Sequence, residues 1–152
     1  MTFSVTKEID FHAGHRIPHH KSKCFNPHGH TYRVVVMCQM EDGGLQDLVG
    51  SSEEAMVIDF SDLKTVMMER IYDPLDHGFM VDRDDKLMAE CFGQAMLSEG
   101  IVFKIQPMPG PPTAETIAKW CYDQLDEALP DHFIISSVEV FETPTSSAVY
   151  EP

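Results

Sequence analysis

The chain has no apolar run near the roughly 20 residues that a membrane-spanning helix requires, so a transmembrane class is set aside. It has no Cys-x2-Cys pair: Cys24, Cys38, Cys91 and Cys121 are scattered. The opening MTFSVTKEID lacks a basic segment followed by an apolar stretch, so a secretion signal is not expected and cytoplasmic residence is. A disulfide framework is accordingly not expected, and Cys38 and Cys121, in an apolar strand and on an apolar helix, read as buried small hydrophobes. Basic residues are scarce, with 11 Lys and Arg against 25 Asp and Glu and a net charge of −14. That excludes nonspecific binding to nucleic acid or an anionic membrane, both of which need a basic face. There is no internal repeat and no low-complexity tract. The 152 residues suit one domain over 1–152 with a core of its own.

One local absence carries more information. From Phe11 to Met40 there is no Asp or Glu, while the same window holds six of the eight histidines plus Arg16, Lys21, Lys23 and Arg33. An acidic chain with one basic, His-rich window points to a local site for an anion or a metal.

Periodicity predicts an α+β fold. Thr2 to Phe11 alternates loosely and reads as a strand, residues 12–27 as a loop, and His28 to Gln39, with Tyr32, Val34, Val35 and Val36, as a second strand. Glu41 to Glu54 reads as a loop or hairpin tip. A helix starts at Asp59 or Ser61, carries Leu63, Val66, Met67 and Ile71 at helical spacing, and is expected to end before Pro74. A second helix over about Lys86 to Leu97, a short strand over Ile101 to Ile105 and a proline-rich connector (Pro107 to Pro112) form an inserted piece. Thr113 is a good N-cap for a helix with an apolar stripe of Ile117, Trp120, Cys121 and Leu125. Phe133 to Phe141 is a strong strand, with Ser147 to Tyr150 beside it. The expected architecture is an antiparallel sheet covered by helices on one face, with an extra helix and strand between the two main helices.

His28-Gly29-His30 is the most informative tripeptide. On a strand, side chains at i and i+2 share a face, so both imidazoles can reach one ion. If the first two strands pair antiparallel, His15 returns beside them as a third ligand. Three neutral nitrogens suit zinc and leave a coordination position open, the pattern of a catalytic centre. His12, His19 and His20 are rival ligands; His12 is three residues from His15 and faces the other side of a strand, and His19 and His20 sit deep in the loop. Cys24 lies four residues before His28, and a dication with Lys21 and Lys23 nearby would favour the thiolate that a nucleophile or general base needs. It could instead close the zinc shell as a fourth ligand. Asp76-His77 reads as a proton relay or a solvated loop pair, and Glu142 as an acceptor for a donor-rich heterocycle or an ordinary strand-end carboxylate.

Together FHAGHRIP, CFNPHGH, VIDFSDLK, PLDH, PTAETIAKW and VEVFET resemble the 6-pyruvoyltetrahydropterin synthase superfamily, in family order from Phe11 to Thr143. The spacing Cys-x3-His-Gly-His resembles the 6-carboxytetrahydropterin synthase branch. The resemblance implies that His15, His28 and His30 bind Zn2+, that Cys24 is the general base, and that Asp76 and His77 form the relay. It further implies that Glu142, with Thr143 beside it, anchors the pterin. The implied fold is the tunnelling fold (T-fold), a ββααββ-type subunit that assembles as a homo-oligomer, typically a hexamer of two trimers with active sites where subunits meet. The implied substrate is a small molecule, 7,8-dihydroneopterin triphosphate. The implied products are 6-carboxy-5,6,7,8-tetrahydropterin, acetaldehyde and triphosphate, on the way to 7-deazaguanines such as queuosine. Arg16, Lys21, Lys23 and Arg33 are the expected triphosphate contacts. A pyruvoyl-forming synthase and a non-catalytic zinc-binding module are the competing readings.

Overall fold

Alternation of apolar and polar side chains builds the centre of the sheet. In β1 (Ser4–His15) Ile9, Phe11, Ala13 and His15 are buried on one face, and in β2 (His28–Met40) Tyr32, Val34, Val36 and Cys38 are buried on the same face. A computed structural model describes residues 1–152. The two strands pair antiparallel from Ser4↔Gln39 to His15↔His28. β1 therefore runs past Phe11 to His15, and the loop expected over 12–27 is confined to the residues after it, with a short 3-10 turn at Lys23–Phe25.

β5 (Phe133–Thr143) pairs antiparallel with the far side of β2, and β6 (Ser146–Tyr150) with β5. The inserted piece supplies two more strands, β3 (Gly78–Asp82) and β4 (Ile105–Met108), and the sheet order is β4-β3-β1-β2-β5-β6. The expected antiparallel pattern holds for four strands, but β3 pairs parallel with β1 and β4 parallel with β3, so the whole sheet is mixed. β3, α3 (Lys86–Glu99) and β4 form a crossover unit, the connection that parallel neighbours require. The strand expected over Ile101 to Ile105 starts only at Ile105: Gly100, in the left-handed region at φ 68, ends α3, and Ile101 to Phe103 that follow it are exposed.

The first helix corrects a second expectation. Asp59 caps α1 (Phe60–Met67) by accepting from the Ser61 N–H, and Leu63 and Met67 are buried. The helix then continues through a π-helical stretch (Met68–Tyr72) into α2 (Asp73–Leu75), which includes Pro74. Proline has no N–H and its ring crowds the carbonyl four residues back. Widening the preceding turn, with Asp73 N–H donating to Met68 O, makes room for it. α4 (Ala114–Asp126) is capped by Thr113 as expected and buries Ile117, Ala118, Trp120, Cys121 and Leu125 against the sheet. Cys38 and Cys121 belong to this core, where burial pushes the Cys38 thiol up to about 11 and raises Cys121 further, while Cys91 is exposed on α3. No helix is long and apolar enough to cross a membrane.

Candidate active site

The end of β1 and the start of β2 place His15 opposite His28, and the two-residue period places His30 on the same face. Their ring nitrogens lie within 4.8 Å of one another. His15 is 1% exposed, and burial holds its imidazole and that of His30 below the ordinary histidine value, so both are neutral near pH 7.

The hydrogen bonds show what this cluster fits. His15 Nδ1 is 2.7 Å from Pro112 O, and His28 Nδ1 is 2.7 Å from Asn26 O. A carbonyl only accepts, so each Nδ1 carries a proton, and in the neutral ring, the form that binds a metal, each Nε2 carries the lone pair. Those two Nε2 atoms face each other at 3.1 Å, where two lone pairs cannot form a hydrogen bond. His30 Nε2 is buried without a hydrogen-bond partner. Zn–N bonds of about 2.0–2.1 Å in a tetrahedron separate neighbouring nitrogens by roughly 3.3 Å, so the donor set fits zinc. His12, by contrast, lies on the other face with its Nδ1 3.1 Å from Thr31 Oγ1, and His19 and His20 are exposed in the loop.

Glu142 sits near the end of β5, with Oε1 3.6 Å from His30 Nε2 and Oε2 4.0 Å from His15 Nε2. Thr143 borders it in a cavity of about 480 Å³ that also includes Gly29, His30 and Arg33. Cys24 is half-buried and lines an adjoining cavity with His15, His20, Glu115, Glu142 and Ser147. Thus five of the eight expected site residues, His15, His28, His30, Cys24 and Glu142, gather on one side of the sheet, with Thr143 at the border.

Asp76 and His77 do form a pair: His77 Nδ1 donates to Asp76 Oδ2 at 2.6 Å, and Asp76 Oδ1 accepts from His12 N–H at 2.9 Å. Burial alone would raise the Asp76 carboxyl, but the hydrogen bonds from His12 and His77 outweigh it and hold the group below its usual range. The pair stands beside His12, whose ring is 5.9 Å from that of His77. His12 and His15 differ by an odd number of strand positions, so within one chain the pair lies on the face opposite the three histidines.

Arg16 departs from expectation. It is buried, its guanidinium engages Asp85 (Nε to Oδ2 2.6 Å, Nη2 to Oδ1 3.2 Å), and it is not free to meet a triphosphate. Lys21 and Lys23 are exposed on the Cys24 loop, while Arg33 pairs with Asp10 at 3.4 Å. Three contributors are not among the expected site residues. Tyr32, the next same-face residue after His28 and His30, is fully buried with an unpartnered hydroxyl and its ring 5.8 Å from His15 and 5.6 Å from His30; the two-residue period extended one step would have found it. The orienting carbonyls of Asn26 and Pro112 are backbone groups with no residue-type signal.

A mixed sheet backed by helices on one face, with this cluster at one end of its central strands, defines a T-fold subunit. Solved structures agree: an uncharacterized protein of Wolinella succinogenes superposes with a TM-score of 0.78 at 25% identity over 98% of this chain and 97% of that one. The 6-pyruvoyl tetrahydropterin synthase of Caenorhabditis elegans shares the fold with a TM-score of 0.65 at 21% identity, covering 99% and 95%. Within that class the chain belongs to the 6-pyruvoyl tetrahydropterin synthase family, whose model matches residues 4–152. Relatives include the 6-carboxy-5,6,7,8-tetrahydropterin synthases of Haemophilus influenzae, 39% identical over 98% of this chain and 99% of that one, and of Synechocystis, 34% identical over 96% and 91%.

Proposed function

We propose that this chain, acting as one domain over 1–152, is a zinc-dependent 6-carboxy-5,6,7,8-tetrahydropterin synthase, a carbon–carbon lyase of the cytoplasm. The observation that carries the reading is the convergence of three Nε2 atoms, two with their tautomers set by carbonyls, on a point bordered by Cys24 and Glu142. The relatives named above support the choice of product. The overall change is 7,8-dihydroneopterin triphosphate plus water to 6-carboxytetrahydropterin, acetaldehyde and triphosphate, and the product serves 7-deazaguanine (queuosine) synthesis.

His15, His28 and His30 would hold the zinc, which as a Lewis acid makes a side-chain proton of a bound polyol more removable. Glu142 accepts hydrogen bonds from the 2-amino and ring N–H groups of the pterin, with Thr143 beside it, and fixes the heterocycle relative to the histidines. Cys24 as thiolate takes the C1′ proton. Asp76 orients His77, whose free Nε2 passes protons on. Lys21 and Lys23 offer the charge that attracts a polyanion to an acidic protein.

The opposite placement of Asp76-His77 and Cys24 supports an active site completed between copies of the chain. So do the sheet edges: β4 and β6 each have one unpaired side, which another chain can extend. A hexamer of two trimers is the assembly we propose. Removal of metal tests the zinc dependence. Protein stripped with a chelator should release no triphosphate from 7,8-dihydroneopterin triphosphate, and one equivalent of zinc should restore release; full turnover by the stripped protein would refute it.

A further inference from the structure

Two ties hold the backbone on either side of Cys24 in its loop. Ile17 N–H donates to Cys24 O at 2.7 Å, closing residues 17–24 into a lobe. The second tie is Arg16. Its Nη1 donates to Phe25 O at 3.4 Å, and its guanidinium carbon lies 4.8 Å from the centre of the Phe25 ring. The same guanidinium makes the two-pronged contact with Asp85, and Asp85 Oδ1 also accepts from Met88 N–H at 3.3 Å as the cap of α3. Arg16 follows the zinc-site residue His15, Phe25 follows Cys24, and Asp85 belongs to the inserted β3-α3-β4 unit. One buried side chain thus joins the end of β1, the thiol loop and the insertion.

A buried ion pair is a poor device for stability, because desolvating both charges offsets most of their attraction. A fixed geometry is what it supplies. Both side chains are under one-tenth exposed, and Asp85 is held in the ionised form: burial would raise its carboxyl, and the Arg16 guanidinium and the Met88 N–H outweigh that.

We infer that Arg16 and Asp85 are positioning residues that clamp the Cys24 loop beside the three histidines, and that the insertion exists in part to supply the clamp. The role of Cys24 rests on the proposed function; the mechanical clamp does not. Removing one partner strands a buried charge, so the informative variant is the double substitution Arg16→Met with Asp85→Asn, which is neutral and keeps an acceptor for the Met88 N–H.

In the zinc-loaded protein, hydrogen exchange of the Ile17 and Phe25 amides should accelerate about tenfold or more in the double variant, with α1, α4 and β2 amides unchanged. Zinc content should stay at the parent level. With 7,8-dihydroneopterin triphosphate, kcat should fall about tenfold or more with KM near the parent value, since a small misplacement of a reacting group is costly. Retained loop protection would overturn the clamp. Faster exchange throughout the molecule would reduce it to a general structural role, and lost loop protection with parental kcat would overturn its part in positioning. If the parent protein does not turn over the pterin, the functional reading fails on that result, and the exchange arm still decides the clamp.

Discussion

Pro112 O and Asn26 O each accept from an Nδ1–H, so neutral His15 and His28 turn lone pairs toward one point, and His30 adds a buried, unpartnered Nε2 from the same face. A site preset in this way makes the roles of single residues separable. His28→Ala should lower bound zinc from one per chain to near none, read by metal analysis, without changing the circular dichroism spectrum. Cys24→Ala should keep its zinc and lose turnover by about 10²–10⁴-fold, the usual range for a positioned general base. Loss of zinc in Cys24→Ala would instead make Cys24 a fourth ligand. Arg16 shows the limit of reading charge from a list of residues. In the sequence it is one of four cations in an acid-free window, and only the fold brings it to Asp85, 69 positions away.

Among the elements, β1 and β3 meet where glycine matters. A Cβ on Gly14 would stand 2.6 Å from Phe79 Cδ2 and 3.4 Å from His28 O, at the parallel pairing of Gly14 with Phe79. Gly14→Val should therefore destabilise by about 1–3 kcal/mol in urea unfolding. Gly93→Ala on α3, with nothing within 4 Å of the added carbon, should stabilise by up to about 1 kcal/mol. The pattern of β1, β2, α4 and β5 was legible because each is long enough for its own period to show, and the His28-Gly29-His30 pair was legible for the same reason. β3 was not: five residues, GFMVD, with Met80, Val81 and Asp82 all buried, lack alternation. Its parallel partner β1 is chosen by the crossover through α1, which no local pattern encodes. Pro74 inside a helix was illegible because the accommodating π turn lies in the preceding residues and not in the proline.

At the scale of the molecule, a net charge of −14 coexists with buried or hydrogen-bonded carboxylates that favour the folded state at neutral pH. The folded value of Asp85 lies below its unfolded one, so its contribution is full above about pH 4 and is lost as pH falls through the folded value. Thermal midpoints should begin to fall below about pH 6.5, where the unfolded chain protonates His15 and His30 that burial keeps neutral in the fold, and fall steeply below about pH 4, with a shallower decline in that lower range in Asp85→Asn. A midpoint that rises on acidification would show that relief of charge repulsion outweighs these carboxylates.

The fold and the family accommodate more than one pterin product, so the identity of the product decides the function. It is tested most directly by incubating the zinc-loaded protein with 7,8-dihydroneopterin triphosphate and measuring acetaldehyde, triphosphate and the pterin formed. Equal amounts of acetaldehyde and triphosphate are expected, with 6-carboxytetrahydropterin as the pterin. Triphosphate release with a pyruvoyl pterin and no acetaldehyde would contradict the proposed function.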